Sequence, residues 1–328
     1  MGDGRYGDSS KKSAKLYKIF SYFNRSLPRK YRFLASFRLK AFRTNRIRME
    51  LIETSTDLRH HLDAHRRAGH RLGFVPTMGA LHEGHLSLID AARQQNDRVV
   101  SSIFVNPTQF NNPDDLARYP RTPDADYRML ETAGCDVVFA PSVEEMYPSP
   151  PLLKLHFGEL ETVMEGAFRP GHFNGVGLVV AKLFHIVQPD RAYFGQKDLQ
   201  QVAVIRRLIR DLSFPVELVR CPTLREADGL AMSSRNRNLT PDERLQAPAL
   251  YQALTMAHDD LLSGKSIPET KETVERFFAA KPAFQPEYFE IANADTLQPI
   301  EIMQAPGATA LCIAAHLGRV RLIDNVVL

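Results

Sequence analysis

The sequence predicts an α/β fold: a mostly parallel sheet with helices on both faces, followed by a smaller α+β unit. Three observations carry the prediction. Short apolar runs rich in β-branched residues alternate with segments of helical period from Leu72 to Cys221, a pattern of parallel strands joined by crossover helices. Several of these runs end in polar turns bearing Gly, Asn or Pro. Beyond Cys221 the alternation stops, and helices come first and strands last. A chain of 328 residues is long enough for two such units.

Met49-Glu50-Leu51-Ile52 opens the globular pattern, and Thr54 or Ser55 caps a helix running to about Ala68. Leu72-Gly73-Phe74-Val75 reads as a buried strand. It enters the turn Pro76-Thr77-Met78-Gly79-Ala80-Leu81-His82-Glu83-Gly84-His85, after which Leu86, Leu88, Ile89 and Ala92 recur at helical spacing to near Asn96. Residues 98–105 form a second strand, which runs into the loop Asn106 to Pro113. Thr122, with Pro123 behind it, caps a helix over residues 124–133 that Gly134 stops. A third strand covers residues 135–140, and residues 152–157 form a short one. Gly171 to Gly177 opens a helix that is apolar nearly all round through Val187, and therefore buried. Residues 191–195 deliver Gln196-Lys197-Asp198 to a helix ending near Leu212, and residues 217–221 are the fifth main strand. A polar crossover, Arg225 to Gly229, leads to Leu230-Ala231-Met232-Ser233-Ser234-Arg235-Asn236. Thr240-Pro241-Asp242-Glu243 starts a helix to about Leu262, and a second lies near residues 267–279. Strands follow at residues 288–292, 309–315 and 319–325.

The composition, 44% hydrophobic and 24% charged, is that of a globular chain, and no apolar run approaches the roughly 20 residues that span a bilayer. Three scattered cysteines, Cys135, Cys221 and Cys312, fit a reducing compartment rather than a disulfide framework. The net charge of +4 hides an asymmetry. Residues 1–48 hold 14 Lys and Arg against Asp3 and Asp8, which leaves 28 basic and 36 acidic residues in the remainder. This basic leader reads as an upstream extension or disordered tail before Met49, with a targeting segment or a basic arm as alternatives. The acidic body is not expected to bind nucleic acid.

Chemistry concentrates where strands end. A helix N-terminus after Pro76–His85 offers unpaired N–H groups and partial positive charge to a phosphate. His82 and His85, three apart, share one side of the first turn, and Gly79 and Gly84 allow close approach. A zinc site is the lesser alternative for this pair, because the helical zinc motif spaces its histidines four apart. Asn106 and Gln109 are uncharged groups able to orient hydroxyls or a carboxylate. Lys197, Asp198 and Gln201 lie at another helix start, and Ser233, Ser234 and Arg235 in the second unit. Singly, each has a bland alternative: turn chemistry for Asn106 and the serines, a surface ion pair for Lys197 and Asp198. Together they supply fixed positive and neutral donors around a triphosphate and an acid, as activation of a carboxylate by ATP requires.

Five ordered segments then coincide with one family: Pro76–His85, Asn106-Pro107-Thr108-Gln109-Phe110, Tyr119-Pro120-Arg121-Thr122, Gly195-Gln196-Lys197-Asp198-Leu199-Gln200-Gln201 and Asp228–Asn236. From Met49 onward the chain resembles the pantoate–β-alanine ligases (pantothenate synthetases). His82 to His85 also resembles the HxGH motif of the wider nucleotidyltransferases. The resemblance implies a Rossmann-like domain over residues 49–223 and an α+β lid over 224–328, in a cytoplasmic homodimer. It implies pantoyl-adenylate formation from pantoate and MgATP, then attack by β-alanine with release of AMP. Met78, Gly79, Ala80, Leu81, His82, Glu83, Gly84 and His85 would line the ATP site, with His85 as proton donor. Gly195, Gln196, Lys197 and Asp198 would contact the nucleotide, Lys197 on its phosphates. Leu224 would touch adenine, and Met232, Ser233, Ser234 and Arg235 would close over the triphosphate. Gln109, Gln201 and Asn106 would serve pantoate and β-alanine, and Asp126 would be the carboxylate near Mg²⁺. Two departures stand out: Gln196 where many members have Glu, and Ala125 between Asp124 and Asp126. The alternative activity is another HxGH-type adenylyl transfer, onto a phosphate.

Overall fold

The computed structural model describes residues 49–328; the basic leader lies outside the described residues. The elements run β1 (Glu50–Ile52), α1 (Ser55–Arg67), β2 (Leu72–Thr77), α2 (Glu83–Gln95), β3 (Arg98–Ile103), α3 (Pro113–Arg118), α4 (Pro123–Ala133), β4 (Val137–Phe139), α5 (Val143–Met146), α6 (Met164–Phe168), α7 (His172–Val187), β5 (Arg191–Gly195), α8 (Leu199–Asp211) and β6 (Glu217–Cys221). They continue with α9 (Pro241–Gln246), α10 (Ala249–Leu262), α11 (Ile267–Ala279), β7 (Phe284–Asn293), β8 (Thr309–Leu317) and β9 (Val320–Val327).

The first six strands form one parallel sheet in the order β1-β4-β3-β2-β5-β6. Alternation assigns its two faces. Phe74, Val137, Phe139, Ala192 and Phe194 point into a core with α1, α7 and α8, through Leu58, Leu62, Val180, Leu183, Val202 and Ile205. Val75, Val138 and Tyr193 point the other way, against Leu88, Ile89 and Ala92 of α2 and Leu130 of α4. The chain moves outward from β2 through β3 to β4, then returns to β5 on β2's other side. Strand order therefore reverses between β2 and β5, and ligands of open α/β sheets bind at the carboxyl ends of such a pair. Those ends carry Pro76–His85 and Gly195–Asp198.

The last three strands form an antiparallel sheet, β7-β8-β9. Its Leu311, Ile313, Ala315 and Leu317 pack on α10 and α11. From the opposite face Ala310 and Cys312 meet Leu199, Ala203 and Val204 of α8, an apolar layer that joins the two sheets. Among the described residues no helix is long and apolar enough to cross a membrane.

Three local expectations are corrected. Residues 152–157 pair with no strand. Their Leu155 N–H instead bonds the Asn174 side chain. The helix expected from Thr240 to Leu262 is two, α9 and α10, because Pro248 interrupts it and lacks an N–H. Thr122 is the N-cap of α4, but its hydroxyl makes no capping bond and donates to Asp126 Oδ1 at 3.1 Å.

Candidate active site

The β2–α2 turn is held in an unusual shape. Gly79 and Ala80 both have positive φ, 78° and 50°. Glycine accepts this freely, whereas for Ala80 it costs about 1–2 kcal/mol. Asp126, only 1% exposed, offsets the cost. Its carboxylate accepts from the Ala80 N–H at 2.9 Å and the Leu81 N–H at 2.8 Å. The carboxylate considered for Mg²⁺ is thus committed to the turn.

His82 is the N-cap of α2, and its Nδ1 accepts from the Gly84 N–H at 3.1 Å. The His82 N–H in turn donates to His85 Nδ1 at 3.3 Å, with the ring centroids 4.2 Å apart. Because both Nδ1 atoms accept, each neutral ring carries its proton on Nε2. Burial first, then the Lys197 ammonium, lowers the His82 pKa to about 4. Burial first, then His82, lowers that of His85 to about 3. The pair therefore presents neutral Nε2–H donors at neutral pH. Any Cβ on Gly84 would lie 2.8 Å from the His82 ring.

Lys197 occupies a 3-10 turn over Gln196–Asp198, with Nζ 3.5 Å from Asp198 Oδ1. From the second unit, Ser233 caps another 3-10 turn, Ser234–Asn238, with its Oγ accepting from the Arg235 N–H at 3.3 Å. Arg235 lies 3.7 Å from Asp115 of α3. A cleft of about 440 Å³ is lined here by His82, Glu83, Met232, Ser233, Arg237 and Arg244, among others. Arg237 donates to the Leu81 carbonyl at 2.9 Å, tying this segment to the β2–α2 turn. Sequence reasoning missed Arg237, although three arginines within 225–237 were a signal of positive charge near phosphates.

The amides sort into two kinds. Buried Asn106 is saturated: its Oδ1 accepts from the Tyr147 hydroxyl at 2.9 Å, and its Nδ2 donates to Gln109 Oε1 at 3.2 Å and the Gly175 carbonyl at 3.1 Å. It orients Gln109, whose Nε2 faces Met78 Sδ at 3.0 Å. Gln200 likewise bonds backbone, from its Nε2 to Leu160 and Val163 carbonyls. Half-buried Gln201 makes no side-chain hydrogen bond among the described residues, so its amide remains for a ligand. Leu224 is 39% exposed, an apolar surface available to a flat ring.

Two further groups set Gln109, and sequence reasoning missed both. His172 Nδ1–H donates to the Gln109 carbonyl at 2.8 Å, while its Nε2 accepts from Arg169 at 3.2 Å. Gly175 of α7 lets that helix approach the loop: a Cβ there would lie 2.2 Å from the Thr108 carbonyl oxygen.

A family model described as pantoate-beta-alanine ligase matches residues 50–327. The chain belongs to the pantoate–β-alanine ligase family. A pantothenate synthetase of Moorella thermoacetica is 52% identical over 281 residues, 85% of this chain and 99% of that one. One of Bacteroides thetaiotaomicron is 49% identical over 278 residues, 85% of this chain and 98% of its own. The pantothenate synthetase structure from Thermus thermophilus is 46% identical, with TM-score 0.80 over 85% of this chain and 99% of that one. A Francisella tularensis ligase complexed with beta-gamma ATP and beta-alanine has TM-score 0.71 and 35% identity, over 85% of this chain and 97% of its own.

In this ligase three neutral histidines create a pH dependence. Burial, followed by Arg169, lowers His172 to about 4 as well. The unfolded chain, with histidines near 6.5, binds more protons than the native state below that pH. Stability is therefore full above pH 6.5 and falls as pH drops towards 4. The slope is up to about 1.4 kcal/mol per pH unit for each histidine. Urea unfolding of residues 49–328 at several pH values should show the loss; a flat profile from pH 6.5 to 4.5 would refute it.

Proposed function

We propose that this site condenses pantoate with β-alanine at the expense of ATP. A pantoate carboxylate oxygen attacks the α-phosphorus and pyrophosphate leaves. The neutral β-alanine amine then attacks the acyl carbon of pantoyl adenylate, the acyl C–O bond to AMP breaks, and the proton lost by the amine passes to solvent. No protein nucleophile is required. The observation that carries the reading is the meeting, at the β2/β5 reversal, of a helix N-terminus, two Nε2–H imidazoles and Lys197. Gln109 supplies the acid-binding side with Gln201. Negative charge building on the departing phosphates meets donors already in place.

The residue roles are part of the same proposal. Met78 to His85, Gly195 to Asp198, Leu224 and Met232 to Arg235 contact ATP. His85 donates its Nε2–H bond to the phosphates, and Lys197 its charge. Gln109 and Gln201 hold pantoate, with Asn106 keeping Gln109 in orientation. Among the described residues no three His, Cys, Asp or Glu side chains converge on a metal-sized site. This fits Mg²⁺ arriving as MgATP, held mainly by substrate phosphates. Residues 49–223 and 224–328 are the proposed domains, the second acting as lid, and a cytoplasmic homodimer is the proposed form.

The test is AMP release by the 49–328 fragment with ATP and Mg²⁺. Release should require both pantoate and β-alanine; AMP transfer to a phosphate acceptor would support the alternative adenylyltransferase. Gln201→Ala should raise the KM for pantoate about 10-fold or more, the scale of one lost hydrogen bond to a charged group, and that for ATP far less. Equal effects on both substrates would remove Gln201 from the acid site.

A further inference from the structure

We propose that Asn325 is a positioning residue for Lys197, and that with Asp324 it ties both ATP-side segments to the last strand. Asn325 lies on β9, 3% exposed and 128 positions from Lys197. Its Nδ2 donates to the Gln196 carbonyl at 2.9 Å and the Lys197 carbonyl at 2.8 Å. Both hydrogens of one amide are thus spent on consecutive carbonyls of the turn that presents the lysine. That turn has no side-chain cap of its own, and neither has α8 behind it. The clamp therefore comes from outside the segment.

Consecutive strand residues point to opposite faces, and β9 uses both. Asn325 lies across from Cys312, on the face that packs against α8. Asp324 lies across from Ile313, on the face that packs against α10. There its carboxylate takes two bonds from Arg225, at 2.5 and 3.0 Å. The Arg225 guanidinium stacks over Tyr251 of α10 at 3.8 Å and also donates to the Gly229 carbonyl. Arg225 pairs with Ala231 in an isolated bridge, immediately before Met232–Arg235. One dipeptide therefore fixes the start of the Ser-Ser-Arg segment and the backbone of the lysine turn. The Asn325 N–H bonds Asp324 Oδ1 at 2.7 Å, which couples the two anchors.

This rests on the ligase reading, and the experiment separates the two. Single-turnover adenylation with MgATP and pantoate is measured for wild type, Asn325→Ala, Asn325→Asp, Lys197→Ala and the double variant Asn325→Ala/Lys197→Ala. Amide formation from supplied pantoyl adenylate and β-alanine is measured in parallel. Asp keeps the shape of Asn but removes both donors. Both Asn325 variants should slow adenylation about 10- to 100-fold, the scale of a displaced catalytic group. They should leave the second half-reaction within a factor of about 3, and the double variant should be no slower than Lys197→Ala alone. Wild-type adenylation in Asn325→Asp, multiplicative losses in the double variant, or equal losses in both half-reactions would overturn the proposal. So would loss of the folded circular dichroism spectrum in both variants, which would make Asn325 a stability residue. Absence of adenylate in wild type would instead overturn the ligase reading.

Discussion

Lys197→Ala is expected to slow pantoyl-adenylate formation by about 10²- to 10³-fold, the scale for removing one donor aimed at transition-state charge. Its ammonium lies 3.5 Å from Asp198, and that carboxylate is half-exposed. Such pairs contribute little to stability, so the ammonium exchanges its partner for a phosphate at small cost. The lysine also sits close enough to His82 to favour its neutral form. Removing it takes away a full positive charge beside the histidine pair while leaving both imidazole donors. Rapid-quench measurement of adenylate should show the loss in kcat with the thermal midpoint nearly unchanged. Wild-type single-turnover adenylation would contradict the role. Lys197→Arg should not restore the rate, since a planar fork on a longer stem cannot occupy the same point.

Asp126→Ala should damage both stability and rate. The substitution leaves two buried N–H groups, of Ala80 and Leu81, without their acceptor, at about 1–3 kcal/mol each. It also releases the positive-φ pair at Gly79 and Ala80 from the contact that holds it. A total of about 2–6 kcal/mol follows, or roughly 5–20 °C in thermal midpoint. Adenylation should drop by about 10²-fold as the His82–His85 helix start loses its register. The midpoint is measured without ATP or Mg²⁺. An unchanged midpoint, with activity restored by excess Mg²⁺, would return Asp126 to the metal role and remove it from the turn.

Much of this architecture could be read from the chain because its signals are local. Alternation in β2, β4 and β5 fixes which residues enter which core, and the crossovers place Pro76–His85 and Lys197 at the same edge. The Thr240 helix start was visible from Thr240-Pro241-Asp242-Glu243 alone, and its capping box with Glu243 is present. What was not legible depends on partners far away in sequence. Asp126 looks like an ordinary acid in a first helical turn, and only folding shows that it serves a loop 45 positions earlier. Asn325 and Asp324 fall within the strand expected at residues 319–325, and only the fold shows which distant groups they bond. Residues 152–157 had apolar alternation without a neighbouring strand to pair with, and alternation alone does not make a ladder. Pro248 was a readable break that the apolar period of α10 concealed.

Gly175 leaves a last consequence. The atoms that a Cβ there would strike, the Thr108 carbonyl and the Gln109 Cα, are all main chain and have no rotamer into which to retreat. The span between α7 and the loop proposed to hold the acid is therefore set by a single hydrogen atom. Selectivity for the acid can drift through the side chains around Gln109, whereas any methyl group on the helix would act as a wedge and move the whole loop at once.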